Sequence, residues 1–151
     1  MYFMKISLEK VVLTACTAVC FSLTSMNAQS LQGKWEVEKV SVEKNIDGKV
    51  EKTVYNSAEE VKSHVPCLQE VEVNEKTAVL RYPDGREEIA EYTTKDDLIL
   101  YTVLGQRYRY EIKGENLILT VDYSYVNNDL EAKKSENIKE NWIITLKNRE
   151  Q

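Results

Sequence analysis

The sequence predicts an all-β protein, an up-and-down antiparallel barrel of about eight strands with one short helix. Many short runs alternate apolar and polar residues with a period of two, as half-buried strands do. All five glycines lie at the ends of these runs or between them, and several of them mark expected hairpin turns. Regularly spaced short strands separated by turns are typical of barrels and sandwiches.

Residues 1–30 have the layout of a secretory signal peptide. Lys5 and Lys10 precede the apolar and small-residue run "VVLTACTAVCFSLTSM", and "NAQS" follows with small residues, so cleavage after Ala28 or Ser30 fits. The run is shorter than the roughly twenty residues of a bilayer-spanning helix. We therefore expect an exported protein, in the periplasm or cell envelope, with no transmembrane span in the mature chain.

A second interpretation of the same segment is a lipoprotein signal. Leu13-Thr14-Ala15-Cys16 has the order of a lipobox, whose cysteine carries the lipid anchor. Only Val11 and Val12 separate Lys10 from this tetrapeptide, which leaves a very short apolar region before it. Anchoring at Cys16 is the less favoured alternative to a free mature chain.

Residues 31–151 are predicted to form a single barrel domain. The whole chain has a net charge of −5, and removing a signal segment with two lysines and one glutamate leaves −6. An acidic domain is a poor partner for nucleic acid, whose phosphates need a basic surface. Cys67 is the one cysteine left in this domain, so no internal disulfide can form, and we expect a buried apolar role for it.

The strands and turns follow in order along the chain. Asp47-Gly48 and Asp84-Gly85 predict tight hairpins, because such turns need positive φ, and Lys95–Asp97 and Lys113–Asn116 are further turn candidates. The predicted strands are Lys34–Lys44, Val50–Tyr55, Gln69–Val73, Thr77–Tyr82, Glu87–Thr93, Leu98–Val103, Arg107–Ile112, Leu117–Val126 and Trp142–Lys147.

Three local features interrupt this pattern. Ser57 and Glu60 form a capping-box pattern that predicts a short helix ending before Pro66. The polar stretch 127–141 fits either a short helix or a long hairpin loop. In the first strand the apolar phase shifts between Val37 and Val40, which a β-bulge near residue 38 or 39 would explain.

Tyrosine is the most informative residue type for function. Phase places most of the later tyrosines on the inner face of the sheet, where they offer flat apolar area and a hydroxyl group. They could line a ligand pocket or simply fill the core of a small barrel, and both interpretations stay open. The candidate pocket residues are Tyr82, Tyr92, Tyr101, Tyr108, Tyr110, Tyr123 and Tyr125.

Catalytic and metal sites are weakly supported. His64 is the only histidine, so the sequence offers no pair of nitrogen ligands for a transition metal. Ser63 is adjacent to it, but adjacent residues rarely form a nucleophile and its base. We therefore predict no catalytic residues, no metal site and no cofactor.

The charged side chains on two of the predicted strands can be explained without a catalytic or binding role. Glu87, Glu88 and Glu91 could act as acid–base carboxylates, but a solvated strand face after a turn is the favoured interpretation. Arg107 and Arg109 share one face and could hold an anion. An exposed outer surface of the barrel is the simpler account.

The beginning of the domain carries a family resemblance. A signal segment, then Gly33-Lys34-Trp35 opening the first of about eight antiparallel strands, resembles the lipocalins and lipocalin-like barrels. The resemblance implies that Trp35 plugs the closed end of the barrel and that Gly33 lets the chain pass close beneath it. A late basic residue packs over that tryptophan in the family, and here Lys147 and Arg149 are both candidates.

The rest of the domain is similar to the small lipocalin-like domains exported by Bacteroidetes. The similarity covers "CLQE" before a strand, the Asp84-Gly85 hairpin, "YEIKGENLILTV" and the closing "NWIITLKN". It implies non-catalytic binding of a small hydrophobic or amphipathic ligand in the barrel mouth. The alternative is an envelope module with a filled core that binds a protein or glycan on its outer surface; we do not expect an enzyme.

Overall fold

The structure, a computed structural model, describes residues 30–95 and 98–150. The predicted signal peptide and Cys16 therefore lie outside the described residues, apart from Ser30. The described part contains, in chain order, β1 (Gly33–Ile46), β2 (Lys49–Tyr55), α1 (Ala58–His64), β3 (Glu70–Val73), β4 (Thr77–Arg81), β5 (Glu87–Tyr92), β6 (Ile99–Thr102), β7 (Arg107–Lys113), β8 (Asn116–Asp129) and β9 (Lys134–Asn148).

Eight of these strands close into an antiparallel barrel. β3 to β9 pair in chain order, β1 pairs with β3 along Gly33–Glu36, and β9 returns to pair with β1, which closes the sheet. β2 lies outside the barrel and pairs with the second half of β1, Val40–Ile46. The predicted all-β up-and-down barrel of about eight strands with one short helix is confirmed.

The turns follow the residues that the sequence marks. Asp47 and Gly48 both have positive φ, of 48° and 91°, between β1 and β2. Gly85, with φ of 82°, turns the chain from β4 to β5. An L side chain at such an angle is strained, which explains why these hairpins use glycine and aspartate. The predicted turn at 95–97 lies partly outside the described residues.

The predicted bulge is present in β1. The register with β9 shifts between Val37 and Lys39, so Trp35 and Val37 point inward before the bulge and Val40 points inward after it. The bulge lets one continuous strand keep its apolar side chains in the core while the sheet curves.

The helix and the long hairpin resolve the two remaining local predictions. The Ser57 hydroxyl accepts a hydrogen bond from the backbone N–H of Glu60 at 3.2 Å, and α1 buries Val61 against the barrel. Stretch 127–141 is a hairpin, because β8 and β9 continue their pairing to Asp129 and Lys134.

The core fills the barrel at the end where β1 begins. Trp35 is fully buried there, and its indole N–H donates to the backbone oxygen of Leu31 at 2.9 Å. The large, fully buried side chains around the interior are Trp35, Leu68, Leu80, Leu100, Leu117, Leu119, Ile144 and Leu146. Among residues 30–95 and 98–150, no helix has the length and apolarity needed to span a bilayer.

Candidate functional site

A cavity of 540 Å³ opens at the opposite end of the barrel from Trp35. We call it the mouth cavity. Its volume lies within the range of about 300–1,000 Å³ that is usual for small-molecule sites. The turns between β4 and β5 and between β6 and β7 form its rim. It is lined by Pro66, Cys67, Tyr82, Arg86, Glu88, Leu104, Gly105, Gln106, Tyr108, Tyr123, Tyr125, Glu140, Trp142 and Ile144.

Aromatic side chains from three neighbouring strands form one wall of the mouth cavity. Tyr108 projects from β7, Tyr123 from β8 and Trp142 from β9, because each lies on the inward phase of its strand. The rings of Tyr123 and Trp142 meet edge to face, with centroids 5.8 Å apart and planes at 80°. This is a favourable geometry for an aromatic pair and holds both rings in fixed positions.

The side chains of three tyrosines, Tyr82, Tyr108 and Tyr123, lie next to one another in the lining of the mouth cavity. Tyr108 is 4% exposed and interacts through its hydroxyl with Tyr82 and Tyr123. Burial, together with the hydrogen bond to Tyr82, raises the pKa of Tyr108 well above its usual value, and burial raises the pKa of Tyr82 and of Tyr123. All three hydroxyls therefore keep their protons at neutral pH.

Glu88 is the most buried charged residue of the site, at 8% exposed. One carboxylate oxygen accepts a hydrogen bond from the Tyr82 hydroxyl at 3.2 Å, and the other lies 3.5 Å from the Arg86 guanidinium. Arg86 in turn lies over the Tyr82 ring, 4.2 Å from its centroid. The interpretation of Glu88 as part of a solvated face is wrong, because it shares the inward phase of Ala90; Glu87 and Glu91 are exposed.

A second carboxylate, Glu140, lies on the facing side of the mouth cavity. It accepts hydrogen bonds from the Tyr125 hydroxyl and from the Trp142 indole N–H, both at 2.8 Å. Lys44 approaches the same carboxylate at 3.7 Å. Sequence reasoning missed Glu140, although its separation of two residues from Trp142 places both on one face of β9.

Cys67 lies beside this polar cluster and is buried, as predicted. Its thiol donates to the backbone oxygen of Leu68 at 3.3 Å. Burial raises the pKa of the thiol to about 12, so the thiolate is scarce at neutral pH. Such a thiol is a poor nucleophile.

The structure brings four of the seven candidate tyrosines together at the mouth cavity. These are Tyr82, Tyr108, Tyr123 and Tyr125. Tyr101 does not line it: its side chain is on the outer face of β6 and 39% exposed, with the Arg107 guanidinium 5.2 Å from its ring centroid.

The other two candidate tyrosines lie toward the end of the barrel where β1 begins. The Tyr92 hydroxyl donates to the backbone oxygens of Asn74 and Glu75, at 2.6 and 2.9 Å. Tyr110 is buried, and its hydroxyl donates to the backbone oxygen of Thr93. Both tie strands to loops and do not line the mouth cavity.

The remaining sequence candidates have structural contacts outside the mouth cavity. His64 is exposed, with Nδ1 3.0 Å from the backbone oxygen of Glu60 and its ring stacked on Tyr55. Arg109 forms an exposed ion pair with Asp122 at 2.8 Å. Arg149 pairs with carboxylates and is 59% exposed, and the choice between it and Lys147 as a residue over Trp35 stays a prediction.

The mouth cavity combines aromatic faces with carboxylate and phenol oxygens, which suits the binding of an amphipathic molecule. Among the described residues, no group of three His, Cys, Asp or Glu side chains is placed to hold a metal ion.

No protein-family model matches the chain, and no curated protein or solved structure is significantly similar to it. The resemblance to lipocalin-like domains stays a prediction from the residues.

Proposed function

We propose that this protein is an exported, lipocalin-like carrier that binds a small hydrophobic or amphipathic molecule in the mouth cavity without transforming it. The observation that carries the proposal is the aromatic-lined cavity of 540 Å³ at one end of a closed barrel. The signal-like segment at residues 1–30 supports action in the periplasm or cell envelope.

The lining supports binding through apolar burial. Tyr123, Trp142 and Ile144 offer apolar area that is half-buried or buried in the absence of a ligand. Each Å² of apolar surface removed from water contributes about 25 cal/mol before ordering costs are subtracted. The edge-to-face pair of Tyr123 and Trp142 and the hydrogen bond from Trp142 to Glu140 already hold the wall in place, so little further ordering is needed on binding.

Native mass spectrometry tests this proposal directly. The mature protein is exported from a bacterial host, purified without detergent and compared with the variants Tyr123→Ala and Tyr101→Ala. We expect an extra mass on the wild type that is lost on denaturation, because the ligand is held non-covalently. Tyr123→Ala should lose this mass, and Tyr101→Ala should retain it, because Tyr101 is on the outer face.

A bare protein that also fails to take up an added apolar fluorophore would contradict the proposal. So would an adduct that persists equally in folded Tyr123→Ala. Either result would favour the alternative, an envelope module that binds a protein or glycan through its outer surface. The observation that supports this alternative is β2, which extends the sheet outside the barrel and exposes Val50 and Val54.

A further inference from the structure

The side chains that line the mouth cavity offer hydrogen-bond acceptors on their carboxylate and phenol oxygens. Three of its aromatic donors already point at protein acceptors: the Tyr82 hydroxyl at Glu88, and the Tyr125 hydroxyl and Trp142 N–H at Glu140. A carboxylate has about four acceptor positions and a phenol oxygen has two. Glu88 and Glu140 therefore keep acceptor positions beyond the hydrogen bonds that they already receive.

The charges that line the cavity favour a cation. Glu88 and Glu140 are both lining residues and Arg86 is the one cation among them. Glu140 is 13% exposed, whereas its partner Lys44 is 36% exposed, does not line the cavity and approaches only to 3.7 Å. An ion pair of that kind is weak, so much of the carboxylate's charge stays available at the cavity.

Arg86 is poorly placed to receive an anionic ligand. Its guanidinium lies against Glu88 at 3.5 Å and against Asp84 at 3.9 Å, and it stacks on the Tyr82 ring. A ligand carboxylate that reached Arg86 would come close to the buried charge of Glu88, and like charges repel strongly where water is scarce. Displacing Glu88 would leave a buried carboxylate without its cation.

The aromatic wall suits the same kind of ligand. A cation over the face of a tryptophan or tyrosine is attracted by the ring's negative face. Trp142 and Tyr123 present such rings directly beside the Glu140 carboxylate. The net charge of −6 on the mature chain adds a weak long-range attraction for cations.

We infer that the mouth cavity selects an amphipathic amine: an apolar, preferably aromatic body whose polar end is a protonated amino group directed at Glu140. This inference rests on the function proposed above and narrows it, because it sets fatty acids and other amphipathic carboxylates apart from the preferred ligands. Glu140 is then the specificity-determining residue, and Trp142 and Tyr123 hold the apolar body.

Three probes with the same apolar body test the inference. Naphthylethylamine, naphthylethanol and naphthylacetate are titrated into the mature protein by calorimetry at neutral pH and low salt. We expect the amine to bind at least about tenfold more tightly than the carboxylate, because the lining carboxylates Glu88 and Glu140 attract an ammonium group and repel an anion. The alcohol, which can donate but carries no charge, should lie between them.

The variant Glu140→Gln should reduce the preference for the amine over the alcohol, because it keeps the side-chain shape and removes the charge. The matched control is Glu115→Gln, which makes the same change of charge in the exposed β7–β8 turn at the other end of the barrel. It should leave the preference unchanged. Circular dichroism and thermal unfolding establish that both variants fold.

The outcomes separate this inference from the proposed function. Equal or tighter binding of naphthylacetate would overturn the selection of amines while leaving a ligand-binding cavity in place. An amine preference that survives in folded Glu140→Gln would overturn the role of Glu140. If no probe binds and none slows the reaction of Cys67 with a thiol reagent, both the inference and the proposed function fail.

Discussion

At the scale of single residues, the two tryptophans of this chain have opposite environments. Trp35 is fully buried, and its indole N–H is bound to the backbone of Leu31, so it contributes through packing. Trp142 is half-buried, and its N–H is held by Glu140 at the mouth cavity. The same residue type therefore packs in the core at one end of the barrel and lines the mouth cavity at the other.

The substitution Trp35→Ala should lower the free energy of unfolding by about 3–5 kcal/mol, because it removes a large aromatic ring from a closed core. Urea unfolding followed by circular dichroism measures the change. Trp142→Ala is the matched comparison and should cost less, because that ring is only half-buried. A loss below about 1 kcal/mol for Trp35→Ala would place Trp35 outside the stabilising core.

At the scale of strands, one side chain of β4 links both of its neighbours in the sheet. The Arg81 guanidinium forms ion pairs with Glu70 and Glu72 on β3 and with Glu87 on β5. These hydrogen bonds raise the pKa of Arg81 above its usual value and lower the pKa of Glu72. The network joins three strands at one point on the outer face of the barrel.

The substitution Arg81→Met should lower the free energy of unfolding by about 1 kcal/mol, because it leaves three neighbouring carboxylates without their shared cation. The loss should shrink in about 1 M salt, which screens exposed charges. Thermal unfolding at low and high salt measures both effects. Arg109→Met, which breaks a single exposed pair with Asp122, is the control and should change stability little; an equal loss from both would contradict the network.

Because side-chain direction alternates along a strand and one buried face leaves a clear pattern, the sequence predicts all nine strands of the described residues, although it misses the first eight residues of β9, Lys134–Asn141. The same alternation predicts the bulge between Val37 and Lys39. The preference of glycine for positive φ predicts the hairpins at Gly48 and Gly85. These features depend on a few adjacent residues. They could be predicted without knowing which strands pair.

The site could be predicted only in part. The alternation along a strand indicates whether a side chain points inward, but it does not indicate how far along the barrel axis the side chain lies. Tyr92 and Tyr110 are therefore predicted as pocket residues, although they lie toward the opposite end of the barrel. Tyr101 lies in a four-residue strand where adjacent Ile99 and Leu100 are both buried, which obscures the alternation. The sequence does not predict that Glu88 is buried, because charged side chains are usually exposed to solvent. Its partners Tyr82 and Arg86 are seen only once the strands are paired.

At the scale of the whole molecule, the thiol and phenol groups that line the mouth cavity make the stability of the fold decrease at alkaline pH. Burial raises the pKa of the Cys67 thiol to about 12, and the pKa values of Tyr82, Tyr108 and Tyr123 are also raised. The folded state therefore holds these protons more tightly than the unfolded chain. Their contribution to stability is complete below about pH 9 and declines as the pH rises beyond it.

The melting temperature should accordingly fall between about pH 9 and pH 12. Differential scanning fluorimetry across this range measures the decline. Tyr108→Phe should reduce the decline, because it removes one hydroxyl that must otherwise ionise on unfolding. Tyr101→Phe, on the outer face, should leave it unchanged. A melting temperature that stays constant to about pH 11 would contradict the coupling.

The pairing of β1 with β9 has a consequence for the time course of folding. Val40 lies beside Ile144 and Ile46 beside Ile138, so the ladder that closes the barrel joins segments about a hundred residues apart in the chain. Contacts between distant segments form slowly, because a long loop must be closed before they are gained, and such folds take milliseconds to seconds. Until β9 is in place, β1 keeps an unpaired edge that can pair with another chain. The pairing of the last barrel strand thus determines when a newly made chain loses this aggregation-prone edge.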